Sequence, residues 1–152
     1  MSVIDTLDQF YLFTEGDNSK ELNDFIRLQL GKLWPYDVKT TPWCAALANA
    51  VLAANGLTGS YKNQPKLCLT AKSFLNEGTP VEDPQEGDIV VLKRGSSTWQ
   101  GHVSFYFKED RYNPDYIICY GGNQFNPKTK QSDQVNKASY HKSKVLGYRR
   151  IV

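Results

Sequence analysis

The 152 residues, 40% apolar and 22% charged, suffice for one core of ordinary size and point to a single soluble domain spanning 1–152. Three cysteines, odd in number and irregularly spaced, argue against a disulfide framework and for synthesis in a reducing compartment. No His/Cys cluster has metal-site spacing, so neither metal nor cofactor is expected.

The N-terminus carries acids where a secretory signal carries bases, and no apolar run approaches a membrane span, so membrane insertion is not expected. Charge is unevenly placed. Residues 1–30 hold six acids and two bases, whereas residues 124–152 hold seven bases and only Asp133. Such a basic C-terminal part suits an anionic polymer such as a cell wall, although a solvated surface is the simpler reading. Nucleic acid ranks last among partners because no reader motif accompanies the charge.

In chain order, Val3, Ile4, Leu7, Phe10 and Tyr11 predict a short amphipathic helix, followed by a turn at Gly16-Asp17. Asn18 with Glu21 has the pattern of a capping box for a second helix through Leu30, closed by Gly31. A connector over 31–40 carries Trp34 and Tyr36. Thr41 as N-cap, Pro42 at the first helical position and Gly56 as a left-handed stop frame a third helix, with Trp43, Leu47, Ala50, Val51 and Ala54 at helical spacing. Residues 57–68 read as a polar loop, 70–77 as a short helix stopped by Gly78, and 79–86 as a two-proline turn. The period then changes to alternation. Strands are predicted over 88–94, 102–107 and 116–120, around Val135, and over 144–151. Helices first and an antiparallel meander afterwards make an α+β layout.

The chemistry concentrates in three short stretches. Cys44 falls in the first turn of its helix, where unpaired N–H groups and the helix dipole favour thiolate. Strand alternation sets Val103, Phe105 and Phe107 on one face and His102, Ser104 and Tyr106 on the other, so His102 would open its strand at a polar rim, placed to take a proton from Cys44. Tyr120-Gly-Gly-Asn-Gln124 ends the next strand and offers Asn123 to fix the imidazole tautomer. The order Cys, His, Asn is that of papain-like thiol hydrolases. Each residue also has a plain structural reading: Cys44 as a small core residue, His102 as a strand-end histidine, Asn123 as a turn residue, Trp43 and Trp99 as core aromatics. Cys119 reads as core and His141 as surface.

Several segments together resemble the NlpC/P60–CHAP superfamily of papain-like peptidoglycan hydrolases, in particular its small bacterial and phage members with a TPWC helix. They are Thr41-Pro-Trp-Cys-Ala-Ala, Ala71-Lys-Ser-Phe-Leu-Asn-Glu-Gly78, Pro84-Gln-Glu-Gly-Asp-Ile-Val-Val-Leu92, Arg94-Gly, Gly101-His-Val-Ser-Phe-Tyr106, Gly121-Gly-Asn-Gln124 and Val145-Leu-Gly-Tyr-Arg-Arg150. The resemblance implies a papain-like fold with N-terminal helices packed on an antiparallel β-sheet, Cys44 as nucleophile and His102 as general base and acid. It implies that Asn123 orients His102 or helps polarise the scissile carbonyl, with Gln124 a weaker candidate in the same neighbourhood. Related CHAP domains place a glutamate where this chain has Gly121, so either Asn123 acts alone or the third member lies elsewhere. The stretch 125–131 looks like an insertion beside the site.

The function implied is a cysteine hydrolase cutting an amide of bacterial peptidoglycan, as an endopeptidase or N-acetylmuramoyl-L-alanine amidase. Trp43, Trp99, Tyr106 and Gln124 are its expected substrate contacts. A monomer is expected, made in the cytoplasm and reaching the wall by holin-type release, as a phage endolysin does, or by dedicated export. The alternatives are a non-catalytic wall-binding module, and an effector or thiol peptidase acting on another amide.

Overall fold

Ser2 opens the first helix with a reciprocal cap: its hydroxyl accepts the Asp5 N–H at 3.1 Å and the Asp5 carboxylate accepts the Ser2 N–H at 3.0 Å. In the computed structural model, which describes residues 2–152, this cap starts α1 (Val3–Asp8). Helix α2 (Ser19–Leu30) ends at Gly31, whose φ of 56° is open to glycine. The expected box at its start is different in kind. Asn18 Nδ2 donates to the Glu21 carboxylate and Asn18 Oδ1 accepts the Thr14 N–H, so the side chain ties the preceding turn rather than the helix backbone.

Helix α3 (Cys44–Ala54) starts later than Thr41 and Pro42 predict, with Trp43 as its N-cap residue. The short α4 (Ser60–Asn63) lies inside the segment read as loop, and 70–77 forms a 3₁₀ turn over Ala71–Asn76 rather than an α-helix.

Six antiparallel strands follow: β1 (Thr79–Val81), β2 (Ile89–Lys93), β3 (Gly101–Glu109), β4 (Tyr116–Asn126), β5 (Gln131–His141) and β6 (Val145–Arg150), in the spatial order β1-β6-β2-β3-β4-β5. The two-proline stretch thus supplies β1, an edge strand paired only with β6, the position where proline costs no ladder bond. The 125–131 stretch is the tip of the β4–β5 hairpin, with Asn126 opposite Gln131. Asp88, just before β2, takes a bidentate contact from Arg150 at 2.8 and 3.0 Å and joins the end of the chain to the sheet.

Helix α3 is the centre of the core. Every residue from Cys44 to Leu52 is buried. Its alanines allow close approach to Leu7 of α1, Leu22 and Ile26 of α2, and Ile89, Val91, Val103 and Phe105 of the sheet. The opposite sheet face holds a second cluster of Val90, Leu92, Tyr106, Ile117 and Cys119. Strands β2 and β3 are therefore buried on both faces, and His102 and Ser104 are interior residues rather than residues of an open rim.

Candidate active site

The first intrahelical bond of α3 is Leu47 N–H to the Trp43 carbonyl, at 2.9 Å. Cys44 is the first helical residue, so its own N–H precedes that ladder, at the positive end of the dipole. What sets this start is a tertiary contact: Asn123 Oδ1 accepts the Trp43 N–H from across the fold. The same amide donates to the Ser132 carbonyl at 2.9 Å and toward the Glu15 carboxylate at 3.4 Å, and Glu15 in turn accepts the Trp43 indole N–H at 3.0 Å.

Asn123 therefore anchors the cysteine helix. The hydrogen-bond partner of His102 is Gln124, whose Oε1 stands 3.1 Å from His102 Nε2 and also accepts the Ser104 hydroxyl at 2.8 Å. This corrects the expectation that Asn123 orients the imidazole. The cause is a bulge in β4: register shifts between Gly121 and Gln124, and Asn123 takes a left-handed φ of 56°. Successive side chains here cannot be assigned to faces by simple alternation.

The amide of Gln124 cannot be turned around. Its Nε2 donates to the Cys119 carbonyl at 3.1 Å and the Asn136 carbonyl at 2.7 Å, so a flipped amide would set oxygen against oxygen. Oε1 must then face His102, and an oxygen acceptor requires His102 Nε2 to carry the proton. That leaves Nδ1 free to take a proton from the thiol. Tyr140 of β5 packs against the imidazole, 5.6 Å between ring centroids and tilted by 34°.

Burial pushes the Cys44 thiol up. It is outweighed by the hydrogen bond and charge of the His102 side chain, a backbone bond from Val103 and the charge of Arg94, which together hold the thiol below its ordinary value of 9.0. The other two cysteines go the opposite way. Cys68 and Cys119 are buried and free, and desolvation raises both thiols. A thiol poised toward thiolate, beside an imidazole whose far nitrogen is held by an amide oxygen, can attack an electrophilic carbon and return a proton to a leaving group.

Two glycines bring these pieces together. A Cβ on Gly121 would lie 2.5 Å from the Ser104 hydroxyl, and one on Gly122 would lie 2.4 Å from the Trp43 ring. A side chain at Gly121 would have to displace the Ser104 hydroxyl from its place beside Gln124. The Gly121-Gly-Asn-Gln124 run thus presses β4 against both the strand of His102 and the start of α3.

Cys44 lines a cleft of about 150 Å³ with Pro42, Thr70, Arg94, Trp99 and Gly101. Pro42 and Arg94 also line a neighbouring cleft of about 260 Å³ that includes Glu15, Lys39, Asn123 and Ser132. Of the expected substrate contacts, only Trp99, 75% exposed, stands at the cleft surface. Trp43 is fully buried with its indole N–H bonded to Glu15, and Tyr106 is buried against Tyr148 in the second cluster; packing removes both from a substrate face. Gln124, also buried, faces His102 rather than a cleft. His141 sits at the surface, with Nδ1 on the Ser143 hydroxyl. Arg94, Ser104 and Tyr140 were not singled out as individual site residues by the sequence. Arg94-Gly95 was visible only as one matching segment among several.

No family model matches the chain, and no curated protein matches it. Among solved structures the chain is similar to that of a wild-type endolysin, LysIME-EF1, with a TM-score of 0.47 and 13% identity, over 87% of this chain and 62% of the other. The chain thus spans less than two thirds of that protein's length. No helix among the described residues is long and apolar enough to cross a membrane.

Proposed function

We propose that the protein is a thiol hydrolase of papain-like type that cuts an amide bond of bacterial peptidoglycan. The observation that carries the proposal is the lowered Cys44 thiol set beside His102, whose Nε2 is held by a Gln124 amide that cannot rotate. A module that only binds polymer has no use for a thiol so poised. The substrate class rests on the resemblance of the matching segments.

His102 Nδ1 takes the Cys44 proton and the thiolate attacks the carbonyl carbon, forming an S–C bond. The oxygen that becomes negative is met by the N–H of Cys44 at the helix start. The imidazolium returns its proton to the amine as the C–N bond breaks, leaving a thioester. Neutral Nδ1 then deprotonates a water that attacks the thioester carbon, and the carboxylate leaves with the thiol restored. Gln124 keeps the imidazole in the reactive tautomer through both halves.

Digestion of purified sacculi by wild type and Cys44→Ala, with mass spectrometry of the soluble fragments, tests this reading. New amine and carboxylate termini are expected from wild type only, with a loss of about 10⁴-fold or more in the variant. No fragments from sacculi of several wall chemistries would overturn the substrate class, and equal release by both proteins would overturn the nucleophile.

A further inference from the structure

Arg94 ends β2's run out of the sheet and stands exposed where the two clefts meet. Among the described residues its guanidinium has no ion pair or hydrogen bond; the three ion pairs use Lys20, Lys142 and Arg150. Arg94 lines the same cleft as Cys44, and its charge adds to the groups that favour the thiolate.

The charges around it sharpen the point. Lys39 adds a second cation to the larger cleft. Glu15 is the one acid there, and one of its oxygens, Oε1, accepts from both the Trp43 indole and the Asn123 amide. Lys72, on the other side, spends its ammonium on the Thr98 carbonyl and so ties down the loop between β2 and β3 that follows Arg94. The planar fork of a free guanidinium is built for two parallel bonds to a carboxylate.

We propose that Arg94 recognises a carboxylate on the substrate, so that the protein takes amides bearing a free carboxylate near the scissile bond and discriminates against the same compounds with that carboxylate amidated. This rests on the hydrolase reading for its substrate but not for its test. Peptide chains with unblocked carboxyl groups beside the cleaved amide are the chemical class implied. Arg94 is a specificity-determining residue: the substrate lies along the cleft of Cys44, and its acid meets the guanidinium before the chain continues toward Lys39.

The test compares alkylation of Cys44 by iodoacetate, which carries a carboxylate, with alkylation by iodoacetamide, its neutral amide. Both need the thiolate, so the ratio of their rates cancels any change in thiol ionisation. Cys44→Ala supplies the blank for Cys68 and Cys119. Wild type is expected to favour iodoacetate. Arg94→Gln should lower the ratio about ten-fold, Arg94→Lys less, and Lys39→Gln least, with the preference shrinking as salt is raised. An unchanged ratio in Arg94→Gln, or a ratio carried by Lys39 alone, overturns the proposal. In a second arm, matched wall peptides with free and amidated carboxylates are expected to differ in kcat/KM for wild type and to converge in Arg94→Gln; equal cleavage by wild type overturns it too. If wild type cuts neither peptide, the hydrolase reading fails, and the alkylation ratio still decides the role of Arg94.

Discussion

Two buried polar networks, one built on Asn49 of α3 and the other on Gln124 of β4, differ in one respect. Around Asn49, the side-chain amide donates to the Ser60 hydroxyl and the Cys68 carbonyl and accepts the Tyr61 N–H, while Ser73 donates to Ser60. Every group is spent on another group of the same network. Around Gln124, the amide is equally well satisfied, but its chain of bonds ends at His102, whose second nitrogen turns to a thiol on a cleft. Burial and complete hydrogen bonding are common to both. What distinguishes the second is a proton with somewhere to go.

Mutations should separate the two. Gln124→Leu removes the acceptor that fixes the imidazole, and is expected to slow turnover about 100-fold and to raise the pH at which Cys44 alkylates; an unchanged pH profile would show that the amide is packing only. Asn49→Ala strands the Cys68 carbonyl in the interior and takes the acceptor from the Tyr61 N–H. It should cost about 2–3 kcal/mol, read as a lower urea midpoint, while the folded fraction keeps its thiol reactivity. Asn123→Ala breaks the bond to the Trp43 N–H and puts alanine at a positive φ. A loss of about 1 kcal/mol is expected, with the thiol still ionising below its ordinary value because the partner of His102 is untouched. A large change in that ionisation would return Asn123 to the imidazole.

The contrast between Asn123 and Gln124 also marks where sequence reading ends. Helix α3 was legible because apolar residues recur along it and Gly56 stops it, and the Cys44–His102 pair followed from a helix start and a strand start. The main strands β2, β3 and β4 were legible from the change of period, but a simple meander was not what formed: β6 returns to pair with β2 and β1. The assignment of the third residue was not legible, because a bulge decides which of two adjacent amides points where, and bulge register depends on contacts between strands. The start of α3 shifted for a related reason: the Trp43 N–H is satisfied by a residue 80 positions away, which no local pattern reports. Trp43, Tyr106 and Trp99 share an aromatic character, and only packing shows that the first two are interior and the last is exposed. Pro80 read as a turn because an edge strand and a turn both tolerate proline.

The most direct test of the account is the pH dependence of Cys44 alkylation by iodoacetamide in wild type and His102→Ala. A thiol lowered in the folded state gains stability from ionising, fully present above the unfolded value and lost as pH falls through the folded one. The wild-type rate should therefore hold up below the ordinary value of 9.0. In His102→Ala the hydrogen bond and charge are gone while burial remains, and the profile should move above that value. Superimposable profiles would contradict the central claim that Cys44 and His102 act as one unit.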